Sequence, residues 1–173
     1  MALTYVTIAT VTVGSGGAAN IEFTSIPATY TDLLIKASIR TTDSSVVDTV
    51  GISFNSNASN YSWRRLRGNG TNVTSTNASG ENDVETGYAT ADTATASTFG
   101  NLEFYIPNYA SSNYKSFSSD GVSENNATEA YTGLWASLWS NTSAITSVKL
   151  IPVTGANFKQ YSTATLYGIK NTV

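Results

Sequence analysis

Three observations predict an all-β chain, most simply a two-sheet antiparallel sandwich with jelly-roll winding. About 65 of the 173 residues are Ser, Thr or Asn, side chains that favour strands and turns over helix interiors. Apolar residues recur at every second position in short runs, and clusters of Gly, Asn and Ser separate those runs. No segment carries a helical period over a useful length.

Taken in order, the first strand is expected at 3–13, where Thr alternates with Val or Ile, and a second at 20–24. In "DLLIKASIRT" Leu33, Ile35, Ala37 and Ile39 share one face, while Leu34, Lys36, Ser38 and Arg40 share the other, as in a strand buried on one side. Val50, Ile52 and Phe54 repeat the pattern, and 61–67 follows. Leu102, Phe104 and Ile106 repeat it again, with Pro107 closing the strand because it cannot donate to a ladder. Further strands are expected at 114–120, 129–139, 145–151 and 163–170. The segment "EAYTGLWASLWSN" has Trp135 and Trp139 at helical spacing, but Gly133 and its β-rich neighbours favour a strand buried on both faces. Between Gly68 and Thr98 runs a polar stretch with few apolar anchors. It reads as a long loop within a single domain spanning 1–173.

At 40% hydrophobic residues the chain can build a core without cross-links. The absence of Cys and His removes thiolate nucleophiles, Ser-His-Asp catalysis and zinc sites made from those residues. A net charge of −3 and a pI near 4.8 argue against nucleic acid as a partner. No apolar run approaches the roughly 18 to 20 residues that span a bilayer, and "MALTYVTIATVTV" lacks the basic start of an export signal. No membrane, cofactor or metal is therefore expected.

Charge is scarce at 12% of residues, yet "YSWRRLRGNG" gathers Arg64, Arg65 and Arg67. As a strand it would place Tyr61, Trp63, Arg65 and Arg67 on one face and Ser62, Arg64 and Leu66 on the other. Three readings stand: a charged edge strand that blocks stray pairing, a contact with another subunit or a partner protein, and an anion site. As a contact, the arginines would tune register and on-rate, with Trp63 or Tyr61 as the apolar anchor. The acids Glu81, Asp83, Glu85 and Asp92 in the following polar stretch could meet those arginines across subunits, without the arginines holding the fold. "ENDVE" lacks the spacing of a calcium loop. Trp135 and Trp139, about 13 Å apart in a strand, could form a glycan platform, although core packing is the commoner use of Trp. No pair of carboxylates is spaced for glycoside hydrolysis, and the expectation is a protein that is not an enzyme.

The succession "GGAANIEFTSIPATYTDLLIKASIRT", "ISFNSNASNYSWRRLRGNG", "FYIPNYASSNYKSF", "TSAITSVKLIPVTGANF" and "STATLYGIK" resembles small structural proteins of tailed bacteriophages, marine and cyanobacterial phages among them. The resemblance runs over nearly the whole chain, through packing motifs and not catalytic ones. It implies a β-sandwich virion protein: a capsid decoration (cement) protein on the outer capsid surface, assembled in the host cytoplasm, with the major capsid protein as partner. The alternative it implies is a tail or head fibre knob that binds host glycans. With the β pattern starting near Met1 and no fibrous segment ahead of it, the decoration role is favoured. A homotrimer is expected, with a dimer second, because a Cys-free β domain gains stability from association.

Overall fold

The computed structural model describes residues 4–57, 59–126 and 128–170. Among these residues the secondary structure consists of twelve strands. They are β1 (Tyr5–Thr12), β2 (Ile21–Phe23), β3 (Asp32–Ile39), β4 (Val47–Phe54), β5 (Tyr61–Gly68) and β6 (Val73–Glu81). They continue with β7 (Val84–Thr90), β8 (Gly100–Ile106), β9 (Lys115–Ser123), β10 (Tyr131–Trp139), β11 (Val148–Pro152) and β12 (Thr163–Ile169). Every expected strand is present, and the ambiguous segment around Trp135 is a strand.

Two antiparallel sheets form a sandwich. The larger has eight strands in the order β1-β12-β3-β8-β9-β10-β5-β6, and the smaller has four in the order β2-β11-β4-β7. Alternation explains the core: Leu33, Ile35, Leu102, Phe104 and Leu166 point inward from the large sheet and meet Val50, Ile52, Phe54, Val84 and Leu150 from the small one. Each such side chain contributes about 1.5–3 kcal/mol on leaving water. An aromatic cluster closes one side, with Phe54 edge-on to Phe117 at 5.2 Å and to Trp139 at 5.5 Å, and Tyr61 stacked on Trp139 at 6.1 Å. Where β7 crosses β9, the sheets touch almost backbone to backbone. A Cβ on Gly121 would lie 2.7 Å from Leu102 Cδ2 and 3.1 Å from the Tyr88 nitrogen, so only glycine permits that approach.

The polar stretch after Gly68 is not a long loop. It folds into β6 and β7, joined by a short turn. Two physical reasons hid them. Nearly every position of β6 is exposed, so no alternation of apolar side chains is required of it. The second strand, β7, is almost wholly buried, but Thr86, Gly87, Ala89 and Thr90 interrupt its larger Val84 and Tyr88, and the two threonine hydroxyls are satisfied internally. Thr86 Oγ1 donates to Val50 O, Ser119 Oγ donates to Thr86 O, and Thr90 Oγ1 shares a hydrogen bond with Ser123 Oγ.

Nor is β5 an edge. It pairs with β10 on one side and β6 on the other, so the arginines do not guard a free strand. The other correction concerns β10, which alternates between buried and exposed positions and is buried on one face only.

Among the described residues, Arg40 and Lys115 are buried, form no ion pair with a carboxylate, and are held by backbone carbonyls. Arg40 Nη1 donates to the oxygens of Thr95 and Thr98, and Nη2 to those of Asp92 and Ala94. Lys115 Nζ donates to the oxygens of Ser111, Asn113, Asn141 and Ser143. Each cation ties irregular segments to the end of a strand by charge-assisted bonds.

Candidate functional site

The residues named as a contact separate into two sets. Tyr61 and Trp63 are buried in the core. Tyr61 Oη accepts the Phe54 N–H at 2.8 Å, and burial pushes its phenol well above the usual range. Neither is available as an exposed anchor. Arg65 shares their face and lies inward, with only 13% of its side chain exposed. Its Nη1 reaches Glu85 Oε2 at 3.4 Å, and its guanidinium sits 5.4 Å from the Trp63 ring centre and 5.9 Å from that of Tyr88. Arg67 covers Tyr131 at 4.5 Å. These two arginines close the open side of the core, and the Arg65–Glu85 pair lies within the subunit. Burial raises the Glu85 carboxyl, and Arg65 partly offsets that.

Arg64 alone of the three is exposed, on the outer face of the large sheet. There Leu66 stands directly opposite Leu134, and both are open to solvent, at 49% and 59%. Asp120 is paired with Leu134 on the far side, and burial together with Glu103 raises its carboxyl. Val122, on the same face, is also exposed. The result is a small apolar patch with a cation at one margin and an acid at the other. Alternation set Leu66 on the face opposite Trp63, and reading β10 as buried on both faces left no exposed face for Leu134; the structure puts both leucines at the surface.

Beyond the patch lies β6, the outermost strand of the sheet. Its nine residues include no Pro, Lys or Arg, and its protection against edge-to-edge pairing is confined to one end, where the register shifts beside Gly80 and Glu81.

Trp135 and Trp139 are buried inside the sandwich, where Tyr88 packs on Trp135 and Phe54 on Trp139. They cannot present a platform for glycans. Among the described residues the indole nitrogens of both lack a hydrogen-bond partner, while Lys115 Nζ lies 5.9 Å from the Trp139 ring centre.

A second feature, which sequence reasoning missed, is a concavity of about 590 Å³ beside the ends of β1, β3, β7 and β12. Its walls are the segments 14–17, 92–98 and 157–161. Backbone bonds join the first and last walls, Ala18 and Phe158 exchanging N–H···O contacts of 3.0 and 2.7 Å. Arg40 holds the 92–98 wall from beneath, and Lys159 forms an ion pair with Asp92 across the mouth. Tyr161 stands at the rim, 69% exposed. The signal available in sequence was an aromatic set in a polar run, "NFKQYS".

In comparisons with known proteins, no family model, no curated protein and no solved structure matches this chain.

Proposed function

We propose that the chain is a non-enzymatic virion structural protein of a tailed bacteriophage, a capsid decoration protein that binds the outer face of the assembled shell and clamps neighbouring capsomers. The observation that carries this reading is the outer face of the β9-β10-β5-β6 extension. It offers Leu66 and Leu134 as an apolar centre, Arg64 and Asp120 as flanking charges, and the exposed outermost strand β6 beside them. An apolar centre with a charged margin is the composition of a protein contact. The protein partner is the major capsid protein, with copies of this chain meeting as a homotrimer.

The winding supports a jelly roll. With the two inserted hairpins β5-β6 and β9-β10 set aside, eight strands remain. They pair as β1 with β12, β2 with β11, β3 with β8, and β4 with β7. That nested pairing of the first half with the second in reverse order is what rolling up one long hairpin produces. Jelly rolls serve in capsids and lectins, so the fold alone does not choose between shell and adsorption roles. On this reading both insertions extend one sheet, and the proposed contact face lies on the extension.

The second reading, a fibre knob that adsorbs to host glycans, is favoured by the concavity around Tyr161. Locating the protein in purified particles separates the two. Hundreds of copies spread over the head support decoration, and copies confined to the tail overturn it. The double variant Leu66→Glu, Leu134→Glu tests the face: it should lose shell binding while keeping the β-type circular dichroism of the isolated protein. Normal binding by that variant would remove the patch from the contact.

A further inference from the structure

We infer that the concavity between segments 14–17, 92–98 and 157–161 is a binding site for a neutral saccharide, with Tyr161 as the stacking platform. This deepens the fibre-knob reading, but it concerns binding by the isolated chain and does not require any particular place in a virion.

The first argument is backbone strain spent on an exposed aromatic. The Ser162 N–H donates to the Lys159 carbonyl at 3.1 Å, closing a four-residue turn in which Tyr161 is third. Its φ is +72°, a conformation that Gly or Asn adopts readily and a bulky residue rarely does. The ring gains no burial in return, since the residue is among the most exposed large side chains described. Stability would be served better by glycine. A bulky residue held in a left-handed conformation points to function. Here it places a flat apolar surface at the mouth of the concavity. The Tyr161 N–H is pinned to the Val13 carbonyl at 3.0 Å, so the backbone that carries the ring is held in place.

The second argument is the chemistry of the lining. Positive charge is present but already committed: Arg40 is buried and spends its guanidinium on backbone carbonyls, and Lys159 is paired with Asp92. Among the described residues that line the site, a phosphate or carboxylate would find no free cation. What remains are uncharged donors and acceptors. The side chains of Asn157, Gln160 and Ser97 line the site and, among the described residues, make no hydrogen bond to other parts of the chain. Amides and hydroxyls beside an exposed ring match a sugar, whose C–H face packs on an aromatic and whose hydroxyls need both donors and acceptors. The volume is within the range of small-molecule sites, and the Arg40 bonds that hold the 92–98 wall make the site preformed.

The test is a titration of the intact, isotope-labelled protein with methyl glycosides of glucose, galactose, mannose and N-acetylglucosamine and with the disaccharides maltose and lactose, read by amide chemical shifts. Inorganic phosphate is a parallel probe. Shifts confined to 14–17, 92–98 and 157–161 with at least one saccharide are expected. Tyr161→Gly should weaken that binding at least tenfold while leaving the melting temperature unchanged or higher, an outcome that a purely structural tyrosine would not give. No response to any of these saccharides overturns the inference, as does binding that survives Tyr161→Gly or a site that responds only to phosphate. A melting temperature lowered by Tyr161→Gly would overturn the argument from strain, and Tyr161→Phe, which keeps the ring, should then bind if the platform reading is right and fail to bind if it is wrong.

Discussion

Replacing Arg65 and Arg64 separately with Glu should have opposite consequences, although the two residues are adjacent in sequence. Arg65 is mostly covered and lies between the Glu85 carboxylate and the rings of Trp63 and Tyr88. Arg65→Glu removes the cation, deletes both ring contacts and sets a second carboxylate beside Glu85. Breaking a fully buried pair in this way costs about 3–5 kcal/mol. Glu85 keeps about a third of its side chain in water, so the cost here falls to about 2–4 kcal/mol. At about 2–4 °C per kcal/mol for a chain of this size, the melting temperature should fall by roughly 4–16 °C. Arg64→Glu changes an exposed side chain and should stay within about 0.5 kcal/mol. Urea unfolding followed by the fluorescence of the three tryptophans measures both variants on one scale. Equal stability of the two variants, or a larger loss for Arg64→Glu, would refute the division of the cluster into inward and outward arginines. The sequence alone led to the expectation that substituting all three arginines would spare the fold; the position of Arg65 reverses it.

Three further outcomes follow from the same geometry. Lys115→Met leaves the carbonyls of Ser111, Asn113, Asn141 and Ser143 without their common donor and should cost about 2–4 kcal/mol, with faster amide exchange in segments 111–113 and 141–143. Burial is the leading cause of raised carboxyls at Asp48, Asp83, Asp120 and Glu85. A carboxyl raised on folding stabilises fully below its unfolded value, 3.8 for Asp and 4.5 for Glu, and that stabilisation is lost as pH rises through the folded value. Asp43, lowered chiefly by the Ser45 hydroxyl, has the opposite sign, and its contribution is lost as pH falls below 3.8. Melting should therefore occur at higher temperature near about pH 4 than near about pH 7, and Asp48→Asn should shrink the difference; no rise in melting temperature toward about pH 4 would mean that these groups are solvated. Gly133→Ala should destabilise, because the added Cβ would lie 2.5 Å from the Trp135 ring and 3.2 Å from that of Tyr88. Thermal melting by circular dichroism reads that loss, and an unchanged transition would mean that the Trp135 ring moves freely.

Strands that bury one face were legible because alternation is a demand that the core places on sequence, and β3, β8 and β12 meet it with Leu, Ile and Phe. For β6 there is no such demand, since almost nothing covers it. For β7 the demand at its centre is for small volume beside the bulky Tyr88, because Gly87 and Gly121 let two backbones approach, and hydropathy does not register size. Losing these two strands had a consequence for function. With β6 absent, β5 looks like an edge and its mixed face looks like a surface. With β6 in place and β7 lying across, the same alternation puts Tyr61, Trp63 and Arg65 inside. The face assignment was right and its orientation relative to solvent was not, since orientation depends on what lies across the sheet and not on the strand itself. The two tryptophans of β10 carry the same lesson: period two set them on one face, and only the opposite sheet shows that this face is interior. For the Tyr161 concavity no period could help. Its walls come from three stretches far apart in sequence, brought together by the Ala18–Phe158 bridge and the Arg40 side chain. The one local clue is a residue type at odds with its backbone position, and such a clue becomes readable only once φ is known. A conflict of that kind, where local preference opposes the conformation that the fold imposes and nothing in packing compensates, is where function is to be sought first, and it is the reason the saccharide test is directed at Tyr161 and not at the tryptophans.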